Sequence, residues 1–94
     1  MDLSGHAILI VETNVTPFVA RLEAAIERGG AKCLVVRTVA GVADRMGQFR
    51  FSAAAVNAEH RTVAEELGIP YVLYVPSEPP HVIVSGLARL LLGP

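Results

Sequence analysis

Polar side chains that could bind a ligand follow directly after apolar runs in this sequence. The apolar run at residues 6–11 is followed by Glu12, Thr13 and Asn14, and Asn57 ends a second apolar run. Carboxylate and amide oxygens are ligands that a hard cation such as Mg²⁺ accepts. Because ligands gather at the carboxyl ends of the strands in open α/β sheets, we expect these side chains to share one rim of a sheet.

Other residue types with chemical potential do not form a recognisable catalytic group. Cys33 lies inside an apolar run and is predicted to be an inert core residue. His6 and His81 are each expected to begin a strand, whereas His60 follows one, so we expect no histidine metal site. The sequence contains no phosphate-binding glycine loop and no G-x-S-x-G motif. We therefore predict that the chain is not an enzyme and has no cofactor and no metal.

Strand-like and helix-like patterns alternate along the 94 residues, which predicts one domain. We expect strands at 6–11, 33–36, 51–56, 71–75 and 81–84, and helices starting at Pro17, after Thr38, over 58–67 and over 87–92. Alternation with short links is typical of a parallel sheet with right-handed crossovers. The predicted fold class is therefore α/β with a doubly wound parallel sheet.

The composition narrows the class of partner. The net charge is −1 and no basic patch is present, which argues against a nucleic acid or an anionic membrane as partner. One cysteine, no signal-peptide pattern and no long apolar run lead us to expect a cytoplasmic protein. A hydrophobic fraction of 52% is high for a small domain, so we expect part of the apolar surface to lie in an interface.

Five segments, taken in order, resemble the receiver domains of bacterial two-component response regulators. They are ILIVETN, LEAAIERGGAKCLVV, FRFSAAAVNAE, VAEELGIPYVLYV and LARLLLG, and they cover nearly the whole chain. The resemblance implies a flavodoxin-like sheet with strand order 2-1-3-4-5. It also implies a site for Mg²⁺ and for phosphate at the carboxyl ends of the strands.

The chain departs from the receiver pattern at each position of that site. The resemblance places Asn57 where the phosphoaccepting aspartate stands, Thr13 where a second acid stands, and Val75 where a Thr or Ser stands. Lys32, the only lysine, lies at the second strand and cannot fill the family's last position. An amide is a poor nucleophile, and Glu12 alone would hold Mg²⁺ weakly at most. We therefore expect no aspartyl phosphorylation.

The segment between Val75 and His81 has five residues and cannot hold the family's fourth helix. We therefore expect an uncovered flank near Tyr74, His81 and Ile83 that binds a second copy or another protein. The predicted function is a receiver-like signalling domain that is not phosphorylated. It would act by protein–protein contact in or beside a two-component phosphorelay pathway.

A second hypothesis is a sensor for a small ligand or ion. Its crevice would be formed by Glu12, Asn14, Asn57 and Ser77 at the strand ends. Structural roles are the alternatives for two of these residues. Glu12 would be a solvated carboxylate near the N-terminus of the next helix, and Asn57 would cap the helix that begins at Ala58.

Overall fold

The computed structural model describes residues 2–93, which form four strands and four α-helices. In chain order these are β1 (Ala7–Val11), α1 (Pro17–Arg28), β2 (Lys32–Val36), α2 (Val39–Gln48), β3 (Ala53–Asn57), α3 (Arg61–Glu66), β4 (Tyr71–Tyr74) and α4 (Pro80–Leu92). A single 3-10 turn at Ala58–His60 joins β3 to α3. No helix between residues 2 and 93 has the length and apolar character needed to cross a membrane.

The four strands form one all-parallel sheet in the order β2-β1-β3-β4. This arrangement confirms the predicted α/β class, and it is compatible with a flavodoxin-like fold. β2 and β4 are the two edge strands, whereas β1 and β3 are paired on both sides. Central strands buried on both faces are expected to be continuously apolar. The sequences AILIV of β1 and AAAVN of β3 follow this pattern up to the last residue of β3.

Helix boundaries follow the local sequence signals. Pro17 begins α1, where its fixed φ and missing N–H are tolerated. The Thr38 hydroxyl accepts a hydrogen bond from the Gly41 N–H at 3.1 Å and so caps α2 as predicted. Gly68, just beyond α3, has φ of +74°, a conformation that glycine adopts at little cost.

The helices cover both faces of the sheet and create two apolar layers. α1 and α4 cover the larger layer, in which Ile8, Ile10, Leu22 and Leu87 are fully buried. α2 and α3 cover a smaller layer around Leu9 and the buried residues Val11, Val36, Val42, Ala54, Val56 and Ala64. α1 and α4 also pack against each other above the first layer.

The predicted fifth strand is wrong, because residues 81–84 belong to α4. Pro80 begins that helix, and the residues buried along it are spaced as one face of a helix: Ile83, Val84, Leu87 and Ala88. The separate helix predicted over 87–92 is the second half of the same element. A fourth helix therefore follows β4 directly, and it covers the flank that we expected to be open.

Candidate functional site

The register of the sheet brings three polar side chains onto one face at the carboxyl ends of the strands. Glu12 follows Ile10 by two residues, and Asn57 follows Ala55 by two, so both project toward the layer under α1 and α4. Val11 pairs with Val56 across β1 and β3, which places the next residues, Glu12 and Asn57, side by side. Asn57 pairs in turn with Tyr74 of β4.

These side chains surround a buried carboxylate. Glu12 is 1% exposed, and its Oε1 accepts hydrogen bonds from the Tyr74 hydroxyl at 2.7 Å and the Asn57 amide nitrogen at 3.0 Å. Its Oε2 lies 3.2 Å from the same amide nitrogen and accepts from the main-chain and side-chain nitrogens of Asn14 at 3.1 and 3.2 Å. We call Glu12, Asn14, Asn57 and Tyr74 the Glu12 cluster.

Asn57 uses both ends of its amide. Its nitrogen donates to Glu12, and its Oδ1 accepts from the Glu59 N–H at 3.0 Å, which caps the turn after β3. The predicted capping role is confirmed, and the amide has the second role of holding Glu12. The prediction that Glu12 is a solvated carboxylate is wrong. The alternation of side chains along β1 continues one residue past the end of the strand, so the Glu12 side chain faces inward and is buried.

Further hydrogen bonds at the rim join the cluster to Glu59 and join Thr13 to His60. The Asn14 amide nitrogen also donates to a carboxylate oxygen of Glu59 at 3.1 Å. Thr13 Oγ1 lies 3.0 Å from His60 Nε2, and the same nitrogen lies 3.5 Å from the Glu59 carboxylate. These contacts tie the segment after β1 to the segment after β3.

Glu12 stays ionised without a cationic partner. Burial raises the pKa of the Glu12 carboxyl, but hydrogen bonds from Tyr74, Asn57 and Asn14 outweigh burial and lower it below its ordinary value of 4.5. No lysine or arginine between residues 2 and 93 forms an ion pair with this carboxylate. Neutral donors therefore take the place that a cation would occupy.

Tyr74 is held as a neutral hydrogen-bond donor. Burial, together with the hydrogen bond to the Glu12 carboxylate and its charge, raises the pKa of the phenol far above the ordinary range. The Tyr74 ring packs against Phe18 of α1, with ring centroids 5.4 Å apart. The hydroxyl is thus fixed by core packing at the base of the cluster.

This arrangement offers no open coordination position for a cation. The donors on both Glu12 oxygens are N–H and O–H groups, which repel a metal ion rather than bind it. No group of three or more His, Cys, Asp or Glu side chains within residues 2–93 has a geometry that could hold a metal. The polar groups of the cluster thus satisfy one another through hydrogen bonds.

The structure brings together three of the four residues of the predicted ligand crevice. Glu12, Asn14 and Asn57 are in contact, but they bond to one another. Ser77 is exposed in the turn after β4, and no hydrogen bond in the described part of the chain joins it to the other three.

Val75 lies beyond the end of β4 with its side chain 42% exposed. It therefore takes no part in the Glu12 cluster. The hydroxyl at the end of β4 that joins the cluster belongs to its neighbour Tyr74, which sequence reasoning did not assign to the site. Side chains two residues apart on a strand lie on the same face. Because Val72 packs in the α1–α4 layer, this alternation predicts that Tyr74 faces the same layer.

Tyr74 and Ile83 are core residues, so neither offers an exposed side chain to the interface predicted near them. Tyr74 is 1% exposed and Ile83 is 3% exposed, since α4 folds over the end of β4 and buries them. His81 is exposed, but it lies in the first turn of α4 and not at the start of a strand. These corrections all follow from the helix at 80–92.

Cys33 is half-buried in β2 and is a poor nucleophile. Burial and the nearby carboxylates of Glu27 and Glu23 raise the pKa of its thiol to about 12. A thiol that stays protonated at neutral pH agrees with the inert role expected from its position in an apolar strand.

No protein-family model matches the chain, and comparisons with curated proteins and with solved structures also gave no match.

Proposed function

We propose that the chain is a receiver-like signalling domain that is not phosphorylated and acts by protein–protein contact. Its place would be in or beside a two-component phosphorelay pathway. The proposal joins the resemblance of five sequence segments to the geometry at the carboxyl ends of β1, β3 and β4. The helices on both faces of a parallel sheet with order 2-1-3-4 suit that scaffold.

One observation carries the proposal: the amide of Asn57 is fully engaged at the position where the resemblance puts a phosphoaccepting aspartate. Its nitrogen lies 3.0 and 3.2 Å from the two oxygens of Glu12, and its oxygen accepts from the Glu59 N–H. An amide has no carboxylate oxygen to attack phosphorus. The Glu12 carboxylate, which would contribute to binding Mg²⁺, is occupied by that same amide and by Tyr74.

The physical consequence is a domain with one state at this site. Phosphorylation switches a protein by adding charge that rearranges its neighbours. Here the Glu12 cluster has the carboxylate charge already in place and already satisfied. We therefore assign the domain to contact and scaffolding rather than to a phosphorylation-dependent change of shape.

The chemical part of the proposal is tested by incubating the protein with a small acyl-phosphate donor and Mg²⁺ and measuring the intact mass. We expect the unmodified mass, and no change of Tm on adding Mg²⁺ alone. A base-labile adduct of about 80 Da, one phosphoryl group, would overturn the proposal. A rise in Tm with Mg²⁺ or a small polar metabolite would instead support a ligand sensor.

The signalling part is tested with histidine kinase and receiver pairs from the same organism. We expect the chain to change the rate of phosphoryl transfer in at least one pair while remaining unlabelled itself. The same assay is run with the Asn57→Leu variant, whose side chain cannot donate a hydrogen bond to Glu12. Circular dichroism checks that this variant is folded. Transfer of the label to the chain, or no effect on any pair, would contradict a role as a contact domain.

A further inference from the structure

The outer edge of β4 presents main-chain groups that have no partner strand within residues 2–93. The Ala54 N–H donates to the Pro70 C=O at 3.0 Å, which sets the alternation of the parallel β3–β4 ladder. Val72 and Tyr74 therefore direct their N–H groups toward β3. Tyr71 and Leu73 direct their N–H and C=O groups away from the sheet.

The next outward residue, Val75, is satisfied within the chain. Its N–H donates to a carboxylate oxygen of Glu78 at 3.2 Å, and its C=O accepts from the Glu78 N–H at 2.9 Å. The open part of the edge is thus limited to Tyr71 and Leu73, which flank Val72. None of the residues of β4 is charged, although charge is a common protection of an edge strand.

A groove of about 340 Å³ lies alongside this edge, between β4 and α4. On the helix side it is lined by Val82, Ser85, Gly86 and Arg89, whose spacing is that of one helical face. Val82 is 45% exposed. Glu78 lines the groove where α4 begins, and Arg89 lines it nearer the end of the helix.

We propose that a second copy of this chain binds here by pairing β4 with β4 antiparallel about a two-fold axis at Val72. Tyr71 of each copy would then face Leu73 of the other. Each such pair exchanges two N–H···O=C bonds, so four hydrogen bonds satisfy the open groups of both edges. The inference rests on the strand edge and holds whether or not the domain belongs to the receiver class.

The same two-fold brings the two α4 helices into contact. α4 packs across β3 and β4 alike, so its axis lies between those strands. Neighbouring strands are about 4.8 Å apart, so each helix axis lies about half that distance inside its own β4. Across the joined edges, the two helix axes would therefore be about 10 Å apart. Packed helices lie about 8–10 Å apart, and the small residues Ser85 and Gly86 suit the close crossing.

The charges favour a second copy as the occupant of this groove. Because the two-fold reverses direction, the end that carries Glu78 in one copy faces the end that carries Arg89 in the other. The opposite edge lacks this complementarity. β2 also has outward main-chain groups, but its first residue, Lys32, and Arg37 just beyond its end are both exposed cations, so the same pairing there would bring like charges together.

The proposal is tested first by the mass of the protein in solution. Light scattering at micromolar concentration should give the mass of two chains. In the Val82→Arg variant, the new guanidinium faces Arg89 of the second copy across the crossing, so the mass should fall to one chain. Val39→Arg is the matched control, since Val39 is 48% exposed on α2, away from the groove, and this variant should stay dimeric.

A charge reversal then tests the relative direction of the two helices. The double variant Val82→Arg/Arg89→Glu places opposite charges at both crossings and should restore the mass of two chains. Single-chain mass for the unmodified protein would overturn the proposal. So would a dimer that survives Val82→Arg, or one that Val39→Arg dissociates equally, because each outcome removes the β4 edge as the contact.

Hydrogen exchange provides a residue-level test of the strand pairing. In the dimer the Tyr71 and Leu73 amides should exchange at least about tenfold more slowly than in Val82→Arg. The Val72 and Tyr74 amides, which bond inward to β3, should stay protected in both proteins and serve as the internal control. Fast exchange at Tyr71 and Leu73 in a protein of two-chain mass would place the dimer contact elsewhere.

Discussion

The Glu12 cluster and the outer edge of β4 lie close together in the fold and treat their polar groups in opposite ways. In the cluster a buried charge is surrounded by donors from the same chain, and no buried side-chain N or O atom within residues 2–93 lacks a hydrogen-bond partner. At the edge, the main-chain groups of Tyr71 and Leu73 have no partner strand in the described part of the chain.

The difference indicates where binding capacity remains. A site whose donors and acceptors are already paired gains little from a ligand, because each new bond replaces an old one. An unpaired strand edge gains main-chain hydrogen bonds with each strand that it adds. The polar groups at the ends of β1, β3 and β4, where chemistry is expected in such a sheet, are therefore already paired, whereas the main-chain groups of the edge beside them are open.

The largest effect is expected from breaking the cluster with Asn57→Asp. The substitution replaces a donor 3.0 Å from Glu12 with a second carboxylate, so two like charges share one buried site. We expect a loss of about 3 kcal/mol in the free energy of unfolding at pH 7. The measurement is urea unfolding at pH 5, pH 7 and pH 8.

The pH dependence of this variant has a definite sign. Two adjacent carboxylates raise the folded-state pKa of the pair, so the stability is present at low pH and is lost as the pH rises through that pKa. Asn14→Asp is the matched control, because Asn14 also donates to Glu12 but is exposed, and it should cost under about 1 kcal/mol. Equal costs for the two variants would contradict the closed cluster.

A smaller effect is expected from Tyr74→Phe, which removes the 2.7 Å hydrogen bond to Glu12 and keeps the ring against Phe18. A hydrogen bond to a charged group contributes about 2 kcal/mol, so we expect the free energy of unfolding to fall by that amount at pH 7. Urea unfolding measures it. Tyr71→Phe is the control, since no hydrogen bond to the Tyr71 hydroxyl is found within residues 2–93, and its effect should be near zero.

Acid should reduce the difference in the free energy of unfolding between Tyr74→Phe and the unmodified protein. The folded-state pKa of Glu12 lies below its ordinary value of 4.5, so its stabilisation is present above that pH and is lost as the pH falls through the folded pKa. The variant has less of this stabilisation to lose. A cost of Tyr74→Phe that is the same at pH 3 and pH 7 would show that the hydroxyl does not act on the Glu12 charge.

The sequence predicted the centre of the sheet better than its flank. β1 and β3 are long apolar runs that end in polar residues, and two neighbouring parallel strands must end at the same rim, so the proximity of Glu12 and Asn57 could be predicted. The part played by Tyr74 was missed because the resemblance directed attention to Val75. Strand alternation within YVLYV would have selected the correct residue.

The secondary structure of the segment after β4 could not be predicted from the local sequence. HVIV is rich in β-branched residues and favours a strand by propensity, and Ser85-Gly86 resembles a break. Packing decided the outcome, because Ile83, Val84, Leu87 and Ala88 form one helical face that buries against the sheet and α1. Short apolar runs fit both periods, and only the partner surface distinguishes them.

The smallest expected effect concerns how closely α4 approaches the β4 edge. A Cβ added at Gly86 would lie 3.1 Å from Val72 Cγ1, whereas one added at Gly47 of α2 would have open space around it. Alanine normally stabilises a helix by about 0.5–1 kcal/mol relative to glycine. We expect Gly47→Ala to raise the free energy of unfolding by about that amount, and Gly86→Ala to gain nothing because Val72 must shift. Urea unfolding at one chain concentration compares them, and equal gains would mean that α4 does not lie against Val72 beside the groove.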